Sequence, residues 1–290
     1  MKKILFTIAT LLIFSVQIYS QVEDRFGYFT DQDIEDFVKP LATTLGTAFN
    51  SGGYHSAKVA DLFGFGISIQ GMLILVPDDQ LTFTPQGASG ATSFETATIW
   101  GNEGAEIPTS EGWLVYPDGV DLSSIPVGYP QIYGSLMGTE VMVRYLPKID
   151  LGETDIGFVG FGIKHSISRY IPLAPVDVAV QFMYNSFSMK DLVDASNIAI
   201  NVHASKGFGL FTLYGGLQYE STSFDLEYTY TDPNNTNPAL KDQTLSVSID
   251  GDNNFRATIG GALQLAVVVL NVDFSIGSQS VVSSGLSFEF

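Results

Sequence analysis

The sequence predicts an all-β fold, an antiparallel transmembrane β-barrel of about twelve strands (about ten to fourteen), with a short N-terminal helical plug. Three observations predict it. The chain starts with an export leader, its apolar residues then recur at every second position, and it closes on an alternating stretch with an aromatic end.

The leader comes first. Met1-Lys2-Lys3 is a short basic start, and Ile4 to Val16 is an apolar run broken only by Thr7, Thr10 and Ser15. Ser20 offers a small residue for cleavage. The run is too short for a membrane helix and has the wrong flanks, so residues 1–20 read as a secretory signal peptide. Residues 21–60 form the plug segment. Thr30 and Asp33 have capping-box spacing. Ile34, Phe37, Val38, Leu41, Leu45, Ala48 and Phe49 then recur at helical spacing. Pro40 lacks an N–H, which predicts a kink or two short helices, with Pro40 in the first turn of the second. Asn50 followed by Gly52-Gly53 is the stop signal.

From Asp61 to Phe290 the period is two. Phe63, Phe65, Ile67, Ile69, Leu73 and Leu75 share one face of the first strand, with Gly64, Gly66, Ser68 and Gln70 on the other. Residues 78–133 read as a long acidic surface excursion. They carry Asp78, Asp79, Glu95, Glu103, Glu106, Glu111, Asp118 and Asp121, and no Lys or Arg occurs between Lys58 and Arg144. Leu81–Phe83, Ser93–Trp100 and Trp113–Tyr116 are candidate short strands within it. Regular strands follow, with outward sets such as Val141, Val143, Tyr145; Val159, Phe161, Ile163; Val180, Phe182, Tyr184; Ile198, Ile200, Val202; and Val268, Leu270, Val272, Phe274. The tight 205–209 turn and the polar tip Asp232-Pro233-Asn234-Asn235 alternate as short turns and long loops do in outer-membrane barrels. A soluble sandwich would show the same alternation with its apolar face inward.

The last residues set the closing strand. Val282, Leu286, Phe288 and Phe290 fall on one parity; Ser283, Ser287 and Glu289 fall on the other. Ser283, Gly285, Phe288 and Phe290 have the spacing of a barrel insertion signal. Strand number is argued from evenness, which needs at least one strand within 78–133, and from the helix. A helix is about 10–12 Å wide, so a barrel holding residues 31–49 should have about twelve strands.

Composition narrows function. Only 15% of residues are charged and the net charge is −18, while mean hydropathy is +0.21. So acidic a body is unsuited to nucleic acid. Cysteine is absent, which removes disulfide and thiol chemistry. His55, His165 and His203 lack metal-ligand spacing. His203 with Ser205 has no third partner or nucleophile motif, so neither an enzyme nor a cofactor is expected. Asp250-Gly251-Asp252-Asn253-Asn254 starts like a calcium loop but has Phe255 and Gly261 where that loop needs Gly and Glu, and reads as a turn. The inward charges Glu140, Arg144, Lys164, Asp177, Glu220, Arg256 and Asp273 would either line a solute route or form a closed interior network.

The order of leader, helical segment and barrel ending in Phe resembles the outer-membrane fatty-acid and hydrocarbon transporter family, whose N-terminal helices form a hatch. Phe37-Val38-Lys39-Pro40, Asn50-Ser51-Gly52-Gly53, Phe63-Gly64-Phe65 and Gly138-Thr139-Glu140-Val141-Met142-Val143-Arg144-Tyr145-Leu146-Pro147 resemble an uncharacterised family of predicted outer-membrane barrels. The second resemblance implies location and fold and no substrate. Together these readings lead to an expected Gram-negative outer-membrane protein. Its partners would be lipid, the barrel-assembly machinery during insertion and a small, for instance hydrophobic, solute passing passively under control of the plug. A closed structural or partner-binding barrel is the alternative.

Overall fold

The computed structural model describes residues 30–86, 94–109, 112–150, 155–171, 173–189, 192–230 and 243–290. The expected leader and the Asp232–Asn235 tip lie outside the described residues. Helix α1 spans Asp31–Phe49. Strand β1 is Phe63–Leu75, followed by two short pairs, β2 (Thr82–Phe83) with β3 (Thr96–Ala97) and β4 (Glu106–Thr109) with β5 (Gly112–Val115). The long strands are β6 (Ser124–Leu136), β7 (Thr139–Asp150), β8 (Asp155–Ser166), β9 (Asp177–Met189), β10 (Val193–Phe208) and β11 (Phe211–Tyr230). They are completed by β12 (Gln243–Asp250), β13 (Phe255–Leu265), β14 (Val268–Ile276) and β15 (Ser280–Glu289).

All these long strands pair antiparallel in a ring. β1 pairs with both β6 and β15, and β10 closes onto β11. β12 and β13 occupy successive lengths of the same neighbour, β11, and so count as one strand interrupted at residues 251–254. The barrel among the described residues therefore has ten strands, the lower end of the expected range and two fewer than the central value of twelve. Two features account for the difference. The short pairs β2–β3 and β4–β5 stay outside the ring, and α1 is slim where it is enclosed, with Ala42, Thr43, Thr44, Gly46, Thr47 and Ala48 in place of long side chains. A Cβ on Gly46 would run into Thr222 and Asn253. The excursion also ends earlier than expected: residues 124–133 belong to β6, the tenth strand.

The two ends of the barrel differ. At one end the strands are joined through residues 137–138, 167–176, 209–210 and 266–267, and both 62 and 290 lie there. Met137 and Gly138 have φ of 52° and 76°, the two positive values a tight hairpin turn requires. The other end carries the long connections 76–123 and 231–242. The outward face is apolar: Ile69 is 58% exposed and Leu217 66%, whereas inward Ser68 and Gln70 are each 2%. A ring of Val, Ile, Leu and Phe facing out, with polar residues facing in, is the inverse of a soluble sandwich and suits a lipid surroundings. No helix among the described residues is long and apolar enough to cross a membrane.

α1 is one continuous helix rather than two. Thr30 Oγ1 accepts from the Asp33 N–H at 3.2 Å and Asp33 Oδ2 accepts from the Thr30 N–H at 3.0 Å, the expected capping box. Pro40 sits inside it and deprives the Asp36 carbonyl of its helical donor. Neighbouring carbonyls find partners elsewhere: the Ile99 N–H donates to Phe37 O at 3.0 Å and Gln279 Nε2 to Pro40 O at 3.2 Å. The surrounding barrel offsets the cost of the proline, and the helix runs through.

Candidate functional site

The site is the barrel interior, and it has three layers. The first lies towards the long connections. There Ile34, Phe37, Val38, Leu45 and Phe49 of α1 form one buried apolar cluster with Ile74, Ile125, Phe158, Phe187, Phe224, Ile249 and Val281 of the wall. The Phe49 ring stacks on Phe158 at 4.5 Å and on Phe187 at 5.4 Å. The excursion closes over this layer. The Gln86 N–H donates to Asp33 Oδ1 at 2.6 Å, and Trp100 Nε1 donates to Thr44 Oγ1 at 3.0 Å. Pro40 and Leu41 belong to the same helix face as expected, Pro40 buried and Leu41 packed at the cluster margin.

The middle layer is polar and grips the end of the helix. Arg144 is fully buried. It donates to Phe49 O at 2.6 Å and Ser51 O at 3.0 Å, to Gln131 Oε1 at 3.1 Å, and lies over the Tyr129 ring at 4.8 Å. Arg256 donates to Thr47 O at 3.0 Å and to Ser51 Oγ, and pairs with Glu220 at 2.9 Å. Gln218 Nε2 reaches Asn50 O at 3.1 Å, and Tyr129 Oη reaches Ser51 O at 2.7 Å. The last carbonyls of a helix lack intrahelical donors and form the negative end of its dipole. α1 has no basic residue in its own last turn; the barrel wall supplies two arginines instead. Among the described residues Arg144 has no carboxylate partner, so the helix terminus is its counter-charge. Small wall residues make room for this: a Cβ on Gly160 would meet Asn185 and Arg144, and one on Gly216 would meet His203 and Tyr54.

The third layer is a vestibule of about 380 Å³ facing the short turns. Its lining includes His55, Lys58, Glu140, Lys164, Asp177 and Glu289. Lys164 Nζ pairs with Glu140 at 2.8 Å and His55 Nε2 with Glu289 at 2.8 Å, where Tyr133 Oη also donates at 2.7 Å. The tail between α1 and β1 forms its floor, held by the Ala57 N–H to Ser205 Oγ at 2.9 Å and by Ser56 Oγ 3.3 Å from the same hydroxyl. Just above, Tyr54 stacks on His203 at 3.9 Å, and burial pushes the Tyr54 phenol up to about 12.

All seven sequence-predicted interior charges face inward, but the structure does not bring them together. Arg144 stands apart, Arg256 pairs with Glu220, and Asp273 accepts from Tyr214 Oη at 2.8 Å. Glu140, Lys164 and Asp177 meet only in the vestibule. His203 and Ser205 both face inward without bonding each other: Nδ1 of His203 meets Asn201 Oδ1 at 2.8 Å. The Asp250–Asn254 stretch is the break between β12 and β13, and it docks on α1 through Asp252 N to Thr43 Oγ1 at 3.0 Å and Lys39 to Asp252 at 3.2 Å. At the closing strand Ser283 is buried, while Phe288 and Phe290 face out with 41% and 72% exposure. Tyr129, Gln131, Gln218 and Glu289 were not singled out by sequence, and His55 was weighed only as a metal ligand. Gln131 and Tyr129 stood in the stretch read as excursion; Gln218 and Glu289 were recognisable only as polar positions of alternating strands.

Comparison with known proteins gives a family but no activity. One family model, for a family of unknown function, matches residues 1–290. No curated protein matches. Among solved structures, CdiB from Acinetobacter baumannii is similar at 10% identity with a TM-score of 0.21, over 80% of this chain and 61% of that one. The chain thus spans less than two thirds of CdiB. Ail of Yersinia pestis is similar at 9% identity and a TM-score of 0.23, over 79% of this chain and 99% of that one. The transport unit of the Escherichia coli autotransporter AIDA-I is similar at 9% identity and a TM-score of 0.32, over 88% and 98%.

Proposed function

The chain belongs to the DUF6588 family of unknown function, and from its interior we propose that it is an outer-membrane barrel plugged by its own N-terminal segment, non-enzymatic and closed at rest. A small solute, for instance a hydrophobic one, passes when the plug shifts. The observation that carries this reading is how the plug is held. Below the apolar collar its grip consists of side-chain hydrogen bonds to main-chain carbonyls and of the His55–Glu289 contact beside an open vestibule. Water can replace such bonds at modest net cost, about 0.5–1.5 kcal/mol each and up to about 3 where a charge takes part. The leader predicted from residues 1–20, the apolar outer face and the aromatic closing strand support outer-membrane residence.

The chain has no native cysteine, so a disulfide can lock the plug cleanly. Ser56 Oγ and Ser205 Oγ are 3.3 Å apart. In planar bilayers, the oxidised Ser56→Cys/Ser205→Cys protein should lose whatever openings the wild type shows, and a reductant should restore them. Arg144→Gln/Arg256→Gln should open more often. If that double variant stays folded and never conducts, passage is refuted. The second reading, a permanently closed barrel whose excursion makes surface contacts, then stands. The apolar collar around α1 favours it.

A further inference from the structure

The direction in which the N-terminal segment runs through the lumen has a consequence for where the start of the mature chain goes. Its contacts descend in strict order. Residues 33–44 meet Gln86, Ile99, Trp100, Asp252 and Gln279, all at the long-connection end. Residues 47–51 meet Tyr129, Arg144, Gln218 and Arg256 at mid-height. Gly53 O accepts from Gln181 Nε2 at 2.9 Å, and residues 55–57 meet Glu289 and Ser205. Ala60 O and Leu62 O then accept from the N–H groups of Gly138 and Met137, in a short turn at the other end. Only there does the chain enter β1.

We infer that this barrel threads its own lumen and presents the first turn of α1, with the residues ahead of it, on the outer face of the membrane. The inference rests on the outer-membrane reading, in which long connections face outward and short turns the periplasm. The first turn of α1 lies beside the excursion, which is tied to α1 through Asp33, Phe37 and Thr44. The outer face is thus a composite cap of two distant stretches of sequence. Threading also constrains the plug. It cannot withdraw into the periplasm without drawing the start of α1 through the barrel, and outward travel is limited by residues 50–62, its tether to β1. Motion of the plug is a short slide towards the outside.

Because the chain lacks cysteine, single replacements report sidedness in the full-length protein. Gln32→Cys and Asp24→Cys probe the helix start and the arm. Asp79→Cys marks the excursion, and Leu173→Cys, at a fully exposed residue of the 167–176 turn, marks the opposite face. Intact cells are treated with a membrane-impermeant maleimide, and heat-modifiable migration confirms folding of each variant. The expected result is labelling of the first three on intact cells, and of Leu173→Cys only after permeabilisation. If Asp79→Cys labels while Gln32→Cys and Asp24→Cys stay unlabelled until permeabilisation, the threading inference is overturned and the barrel's orientation survives. If Leu173→Cys labels on intact cells and Asp79→Cys does not, the orientation falls and takes the inference with it.

Discussion

Replacing Arg144 by glutamine should release the end of α1 without unfolding the barrel. The guanidinium makes two short charge-assisted bonds, to Phe49 O at 2.6 Å and Ser51 O at 3.0 Å. Bonds to a charged group contribute about 1.5–3 kcal/mol each. Tyr129 still reaches Ser51 O at 2.7 Å, so the variant chiefly leaves the Phe49 carbonyl without its donor. The favourable term between a cation and the helix dipole, up to about 2 kcal/mol, goes as well. Against these losses, the variant no longer buries a cation that has no carboxylate partner, which relieves a desolvation penalty of several kcal/mol. The losses come to about 1.5–5 kcal/mol and the relief offsets most of them, so the net weakening of the helix end's hold is at most about 2 kcal/mol, equivalent to up to a roughly 30-fold rise in local opening at about 1.4 kcal/mol per tenfold. Hydrogen exchange reads this directly, because local opening is measured segment by segment. Amides of residues 45–52 should exchange faster in Arg144→Gln, while those of β7 and β8 keep wild-type protection. Arg144→Lys keeps the charge but loses the fork that spans two carbonyls, so it should fall between the two. Wild-type protection of residues 45–52 in a folded Arg144→Gln protein would show that the arginine does not hold the helix.

Three further outcomes follow from the packing. Gly46→Ala puts a Cβ onto Thr222 and Asn253 and should lower stability by about 1–3 kcal/mol in thermal unfolding; adding Thr222→Ala should recover part of it, and full stability of the single variant would contradict the close approach. The Tyr54 phenol has an ordinary value of 10.0 and is held at about 12 by burial. Its folded value lies above the unfolded one, so the unfolded chain loses this proton first. Stability should decline between about pH 10 and 12 by at most ~2 kcal/mol after allowing for partial exposure, and level off above; in Tyr54→Phe that component of alkaline unfolding should be missing. Deletion of Phe290, or Phe288→Asp on the outward face of β15, should reduce the heat-modifiable folded fraction in membranes more than His203→Ala does, and normal assembly of both variants would remove the closing strand from insertion.

Much of the wall was legible in sequence because its period of two reports a physical asymmetry, apolar towards lipid and polar towards the lumen. β7, β8, β9, β10, β14 and β15 show it in single residues: Val159, Phe161 and Ile163 face out, and Lys164 is buried. β6 did not show it. Pro126, Gly128 and Pro130 stand where outward branched residues are usual, and its inward face carries Ile125, Val127 and Tyr129, which belong to the apolar layer around α1. Inward residues there meet a helix instead of water, so the alternation of polarity is lost and the strand read as loop. β12 escaped for a similar reason: inward Ile249 joins the same cluster, and the 251–254 break disguises its continuity with β13. The strand count failed on an average helix width that α1 does not have. Threonine, alanine and glycine at 42–44 and 46–48 reduce the girth of that helix, which a ten-stranded ring can enclose.

The same facts explain why interior charges could be found singly and not assembled. Alternation tells which way Arg144 or Arg256 points but not what lies opposite, because the opposite group is main chain. Phe49 O, Ser51 O and Thr47 O carry no sequence signal; any residue has a carbonyl. What makes those carbonyls need a partner is their place at a helix end, and what brings the partner is a barrel strand 93 to 209 residues away in sequence. The missing basic residue in the last turn of α1 is the trace this leaves in the sequence. A helix that ends in Gly-Thr-Ala-Phe-Asn-Ser, with no cation of its own, and that precedes strands bearing two inward arginines, has its counter-charge supplied from the wall. On that argument Arg144 and Arg256 hold the end of α1 rather than line a solute route. On the proposed reading, solute selectivity would then fall to the vestibule residues His55, Lys58, Glu140, Lys164, Asp177 and Glu289, which border open space with the helix in place.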